Sequence, residues 1–120
     1  MLLSKYFKFV RVSVAIVEDD AMDADLISHT LANLGYKNNV FRSAEQFIAE
    51  KLPGDFTHVF IDLKLPRISG AQLVEVMRKS FPSLRVIIVT GSTDLADMPM
   101  NCIILRKDSN MTQVFKDLLT

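Results

Sequence analysis

The feature that most constrains the fold is a regular alternation of short apolar runs with amphipathic stretches. Four of these runs are nearly continuous in apolar residues: residues 12–17, 58–63, 85–89 and 102–105. A fifth and weaker run covers residues 39–42. Strands of a parallel sheet have this composition because helices bury them on both faces. The runs therefore predict five strands of a parallel sheet.

Helical periodicity fills the gaps between most of the predicted strands. The predicted helices are residues 22–34, a segment that opens at Ser43, residues 70–80 and residues 110–119. Gly35 stands where many helices end, and Ser43 with Gln46 three positions later has the pattern of a capping box. Ser109 is the expected N-cap of the last helix.

Strands that alternate with helices imply right-handed crossovers, which place helices on both faces of one sheet. The predicted fold is therefore α/β, a flavodoxin-like three-layer sandwich with a five-stranded parallel sheet in the order 2-1-3-4-5. A length of 120 residues fits one domain, and the sequence contains no repeat or linker. We interpret residues 1–120 as a single domain.

Composition narrows the classes of function. Fourteen basic and fourteen acidic residues give a net charge of zero, which disfavours a non-specific nucleic-acid binder. One cysteine, Cys102, excludes an internal disulfide and a multi-thiolate metal site, so a reducing cytoplasm is the default location. Lys5, Lys8 and Arg11 interrupt the first apolar residues, so we interpret residues 1–11 as a leader into the first strand rather than a signal peptide.

Polar residues follow the predicted strands at their carboxyl ends. These residues are Glu18, Asp19 and Asp20 after strand one, Asp62 in strand three, Thr90 after strand four, and Arg106 and Lys107 after strand five. In an open parallel sheet, the carboxyl ends beside the switch point form the binding crevice. We therefore expect one converging set: Glu18, Asp19, Asp62, Thr90 and Lys107.

Convergence of three carboxylates has an electrostatic cost. Two of them about 5 Å apart repel by roughly 3 kcal/mol at an effective dielectric constant of about 20. Lys107 supplies one compensating charge, and a hard divalent cation with oxygen ligands, Mg²⁺, would supply the rest. A soft metal would need thiolate or histidine ligands that the sequence does not offer.

The same residues suit the transfer of a phosphoryl group. Asp62 would attack phosphorus and become an aspartyl phosphate, while the metal and Lys107 neutralise charge on the phosphoryl oxygens. The Thr90 hydroxyl can donate a hydrogen bond to one of those oxygens. Each residue alone is more often a turn or capping residue, as Asp20 is expected to be, so the interpretation depends on their combination at four strand ends.

Four motifs carry a family resemblance: VAIVEDD at residues 14–20, IDLKLPRISG at 61–70, VIIVTGS at 86–92 and ILRKDS at 104–109. Together they resemble the receiver domain of two-component response regulators over essentially the whole chain. The second motif is the most specific, since Pro66 follows Asp62 by four positions and Gly70 follows Pro66 by four.

The resemblance implies a Mg²⁺-dependent phosphorelay in which Asp62 accepts a phosphoryl group from a histidine kinase or a histidine phosphotransfer protein. It implies that Glu18, Asp19, the Asp62 side chain and the Lys64 backbone carbonyl hold the metal. Thr90 and Lys107 match the family's switch threonine and its lysine.

The resemblance also implies a conformational switch rather than an enzyme with a separate substrate, although such a domain catalyses its own phosphorylation and dephosphorylation. Its expected partners are the phosphodonor and a downstream protein target, and dimerisation is open. Neither direct nucleic-acid binding nor a membrane is expected for this domain, and its expected location is the cytoplasm.

Three departures from the family pattern bear on output. Asp108 stands where proline is usual, and Ile104 stands where an aromatic residue commonly reports phosphorylation. The segment 93–101, which should hold the family's fourth helix, is short and contains Pro99. We expect that helix to be shortened to about one turn or absent.

Three alternatives belong to other classes of function. A receiver fold can act as a phosphorylation-independent adaptor, which the missing aromatic residue favours and the full acidic site opposes. A dehalogenase-type phosphatase would need a second aspartate where Lys64 stands. A flavin or nucleotide site would need a loop rich in glycine or hydroxyl groups after strand one, whereas Glu18, Asp19 and Asp20 would repel phosphates.

Overall fold

The computed structural model describes residues 12–50, 55–91, 98–99 and 101–119. Within these residues the chain forms five strands and four helices. In chain order they are β1 (Ser13–Val17), α1 (Ala21–Asn33), β2 (Lys37–Phe41), α2 (Ala44–Ile48), β3 (His58–Asp62), α3 (Gly70–Ser80), β4 (Arg85–Thr90), β5 (Ile103–Arg106) and α4 (Met111–Leu119).

The strands form one parallel sheet in the order β2-β1-β3-β4-β5, which confirms the predicted topology. Val17 pairs with Phe41 on one side and with Ile61 on the other. Glu18 follows Val17, and Asp62 follows its partner Ile61. Glu18 and Asp62 therefore lie side by side at the carboxyl edge of the sheet.

Alternate residues of the strands point to two separate cores, as expected for strands covered on both faces. One core packs Ala15 and Val17 of β1 against α2 and α3, through Phe47 and Leu73 among others. The other packs the intervening strand residues against α1 and α4, where the rings of Phe60 and Phe115 lie 5.0 Å apart. This arrangement is the predicted three-layer sandwich.

Local capping explains where several helices begin and end. The Ser43 hydroxyl accepts a hydrogen bond from the backbone N–H of Gln46, but the Gln46 side chain accepts from the backbone N–H of Arg42 rather than that of Ser43, so only half of the predicted capping box forms. Gly35 has a φ of 90°, which a residue without a Cβ adopts at low cost after α1. The predicted N-cap of α4, Ser109, was wrong. The Asn110 side chain, not that of Ser109, accepts a hydrogen bond from the backbone N–H of Gln113. Ser109 instead donates to the Arg106 carbonyl oxygen.

Most of the segment in which a shortened fourth helix was predicted lies outside the described residues, as does the leader at residues 1–11. Of that segment, Met98, Pro99 and Asn101 are described and are not helical. None of the helices in the described ranges is long and apolar enough to cross a bilayer.

Candidate functional site

The carboxyl edge of β1 and β3 brings three acidic side chains together. Glu18 is 1% exposed and Asp62 is 8% exposed, whereas Asp19 is an exposed residue. The Glu18 amide donates to the Phe41 carbonyl oxygen at 2.9 Å, which continues the β1–β2 pairing past the end of the strand. The sheet thus fixes the backbone that carries the buried carboxylates.

The three carboxylates satisfy the elementary requirement of a site for a hard cation. Glu18, Asp19 and Asp62 each offer one oxygen, and these three oxygens all lie within 4.8 Å of one another. The donors are all oxygen, which is the chemistry that Mg²⁺ prefers. The residues that were predicted to hold a metal therefore fit one through their side chains.

Lys107 lies beside two of these three carboxylates. Its Nζ is 2.7 Å from Glu18 Oε1 and 3.7 Å from Asp62 Oδ2. The contact with Glu18 is a close ion pair. The Lys107 amide donates to the Thr90 carbonyl oxygen at 3.0 Å, so the β4–β5 ladder positions the side chain.

The environment of Glu18 disfavours its negative charge. Burial, followed by the neighbouring Asp62, raises the pKa of Glu18 to about 7, although the contact with Lys107 opposes the shift. Burial acts to lower the pKa of Lys107, but its contacts with Asp23 and Glu18 outweigh burial and raise that pKa above its ordinary value. The site therefore keeps its lysine charged and gains from any further positive charge.

Thr90 and Lys64 occupy different parts of the site. Thr90 is the last residue of β4 and is 1% exposed, which places it at the same edge of the sheet as Asp62. The Lys64 side chain is exposed, and the Lys64 amide donates to Asp62 Oδ1 at 3.2 Å. The amide thus fixes the Asp62 carboxylate, while ligation by the Lys64 carbonyl stays a prediction.

Sequence reasoning missed two residues that organise the site. Asp23 Oδ2 accepts from Lys107 Nζ at 2.7 Å across a separation of 84 positions, and no pattern in the sequence links these two residues. Arg42 Nη2 donates to the Asp19 carbonyl oxygen at 2.6 Å and holds the loop after β1 against the loop after β2. The position of Arg42 at the carboxyl end of a predicted strand was the signal that could have found it.

Comparisons with known proteins identify the family to which the chain belongs. A family model of the response regulator receiver domain matches residues 14–114. The chain is similar to the transcriptional regulatory protein FixJ of Bradyrhizobium diazoefficiens, with 28% identity over 83 residues. The match covers 68% of this chain and 40% of that relative, so the chain spans about two fifths of its length.

Solved structures share the fold at low sequence identity. A response regulator receiver domain protein (CheY-like) from Methanospirillum hungatei matches with a TM-score of 0.76 and 23% identity, over 88% of this chain and 89% of the other. The response regulator protein TrrA from Thermotoga maritima, solved in complex with Mg(2+)-BeF, has a TM-score of 0.76 and 17% identity, with 91% and 99% coverage. Because the family model spans most of the sequence, the chain belongs to the family of response regulator receiver domains.

Proposed function

We propose that the chain is a phosphoacceptor switch that takes a phosphoryl group on Asp62. The observation that carries the proposal is the position of the Asp62 carboxylate, which lies beside Glu18 and Asp19 and 3.7 Å from the Lys107 ammonium group. A nucleophilic carboxylate at this position has both a cation and a metal-binding set next to it. Transfer of a dianionic group depends on such charges and on positioning.

In the proposed reaction, an Asp62 oxygen forms a bond to phosphorus of a phosphohistidine as the P–N bond breaks. The electron pair of the broken bond returns to the imidazole of the donor, and Asp62 becomes an aspartyl phosphate. Mg²⁺ held by Glu18, Asp19, Asp62 and the Lys64 carbonyl would neutralise charge on the phosphoryl oxygens. Lys107 adds a second positive charge, and the Thr90 hydroxyl donates to the phosphoryl group.

The proposed donor is a histidine kinase or a histidine phosphotransfer protein in the cytoplasm. Phosphorylation would bias the conformational equilibrium of the domain toward a state that a downstream protein binds. Hydrolysis of the aspartyl phosphate, assisted by the same site, would return the switch to its resting state.

The test is the intact mass of the chain after incubation with acetyl phosphate, with and without Mg²⁺. The proposal expects one phosphoryl adduct that requires Mg²⁺ and is absent from Asp62→Asn. Asp25→Asn is the matched control because Asp25 is exposed on α1, outside the carboxylate cluster. If the wild-type chain forms no adduct under any of these conditions, a phosphorylation-independent adaptor becomes the better account.

A further inference from the structure

Asp23 lies closer to the Lys107 ammonium group than Asp62 does. Lys107 Nζ is 2.7 Å from Asp23 Oδ2 and 3.7 Å from Asp62 Oδ2, so the ammonium group lies closer to α1 than to the phosphoacceptor. The Asp23 side chain is 40% exposed and stands in the first turn of the helix. It contributes no oxygen to the three-carboxylate cluster.

The backbone of Asp23 is fixed, whereas the lysine has a long side chain. The Asp20 side chain accepts from the Asp23 amide at 2.9 Å and caps the helix. Ile27 and Leu31 bury α1 against the sheet. Because Lys107 has the longer and more flexible side chain, a redistribution of the ion pairs is carried mainly by movement of the lysine.

We propose that Asp23 is a positioning residue that holds the Lys107 ammonium group before phosphorylation and competes for it with the phosphoryl group on Asp62. The inference rests on the proposed function, because the competition requires a phosphoryl group on Asp62. Asp23 thereby sets how strongly the site favours the phosphorylated state.

The charges give the direction of the effect. One ammonium group carries a single positive charge and three N–H donors, and Asp23 and Glu18 already lie 2.7 Å from it. Phosphoryl oxygens on Asp62 would add negative charge next to the longest of the three contacts of the ammonium group, the 3.7 Å contact with Asp62. Strengthening that contact weakens the pair with Asp23, so removal of the Asp23 charge lowers the cost of phosphorylation.

The direct test measures the affinity for beryllofluoride in the presence of Mg²⁺, by chemical-shift titration of the full chain. Beryllofluoride associates with a carboxylate oxygen and mimics a phosphoryl group. Asp23→Asn should bind it about three- to fivefold more tightly than the wild-type chain, in line with the strength of a partly exposed ion pair. Asp25→Asn removes the same charge from the same helix and should bind it as the wild type does.

A second measurement tests the resting pair without any ligand. In a double-mutant cycle of urea unfolding, Asp23→Asn and Lys107→Met should be coupled by about three- to fivefold in the unfolding equilibrium constant. Additive effects would overturn the inference, because Asp23 would then not hold the lysine in the resting state.

The outcomes separate this inference from the proposed function. If the wild-type chain binds beryllofluoride and Asp23→Asn binds it no more tightly than Asp25→Asn, the competition is overturned and the phosphoacceptor function stands. Weaker binding by Asp23→Asn would also overturn the competition. If the wild-type chain binds no beryllofluoride, the proposed function fails and the competition fails with it.

Discussion

Gly70 packs so closely against the Asp62 backbone that position 70 has no room for a Cβ atom. A Cβ on Gly70 would stand 2.3 Å from the Asp62 carbonyl oxygen and 2.8 Å from the Leu63 Cα. Gly70 begins α3, and its amide donates to the Leu63 carbonyl oxygen at 3.2 Å. The glycine of the most specific motif therefore allows α3 to start against the strand that carries the proposed phosphoacceptor.

Gly70→Ala should destabilise the fold by about 1–3 kcal/mol, since both contacts are with backbone that cannot move alone. Urea unfolding measures this change, and the yield of phosphoryl adduct should fall with it. Gly91→Ala is the matched control: its Cβ would meet the Lys107 Cδ at 3.6 Å, an ordinary van der Waals contact. Equal stability of the two variants would contradict the role assigned to Gly70.

Binding of Mg²⁺ should respond in opposite directions to two substitutions at the site. Glu18→Gln removes a carboxylate of the cluster and should weaken Mg²⁺ binding roughly tenfold or more. Lys107→Met removes the cation that lies 2.7 Å from Glu18 Oε1 and should strengthen it, because that cation repels Mg²⁺. Chemical-shift titration with MgCl₂ measures both affinities. Changes of the same sign would show that the two residues do not share the metal site.

Strands and strand-end residues were predictable from the sequence, because they depend on hydrophobic periodicity and on the geometry of parallel sheets. Apolar runs such as those at β1 and β3 identified the strands, and strand ends identified Glu18 and Asp62. The sequence did not predict individual side-chain contacts between distant elements, such as the ion pair of Lys107 with Asp23. Such contacts depend on rotamers and on helix position rather than on any spacing.

The boundaries show a second limit of sequence reasoning. The strand β2 begins at Lys37, two residues before the prediction, because Lys37 pairs with Ser13 even though its side chain is exposed. Backbone pairing leaves no mark in the sequence where the side chains are polar. For the same reason Ser109 and Asn110, both good N-cap residues, could not be ranked before their side chains were placed.

Arg67 occupies a left-handed conformation with a φ of 61° in the loop between β3 and α3. Its Nε donates to Glu45 Oε2 at 2.9 Å, which ties that loop to α2. Arg67→Gly and Arg67→Ala both lose this ion pair, but glycine adopts the conformation without strain. The glycine variant should therefore be more stable than the alanine variant by about 1 kcal/mol. Urea unfolding of the two variants makes the comparison, and an alanine variant of equal stability would show that the backbone is not strained.

His58 should make stability depend on pH. Burial, followed by the charge of Arg85, lowers the pKa of His58 below its ordinary value of 6.5. The unfolded chain therefore binds a proton more readily, and the stability that is fully present above pH 6.5 is lost as the pH falls toward the lowered pKa.

Urea unfolding between pH 8 and pH 5 tests this dependence. His58→Asn should lose less stability on acidification than the wild-type chain does, whatever its stability at pH 8. His29→Gln, which removes the exposed histidine of α1, is the control for a change in histidine content. If the curves of the wild-type chain and His58→Asn run parallel, buried His58 is not the source of the pH dependence.

The most direct test of the central claim identifies the residue that carries the phosphoryl group. After phosphorylation by acetyl phosphate with Mg²⁺, borohydride converts an aspartyl phosphate to homoserine, and peptide mass spectrometry locates that homoserine. The account predicts homoserine at position 62 and at no other aspartate. Homoserine at Asp19, or recovery of unmodified Asp62 from the phosphorylated chain, would contradict it.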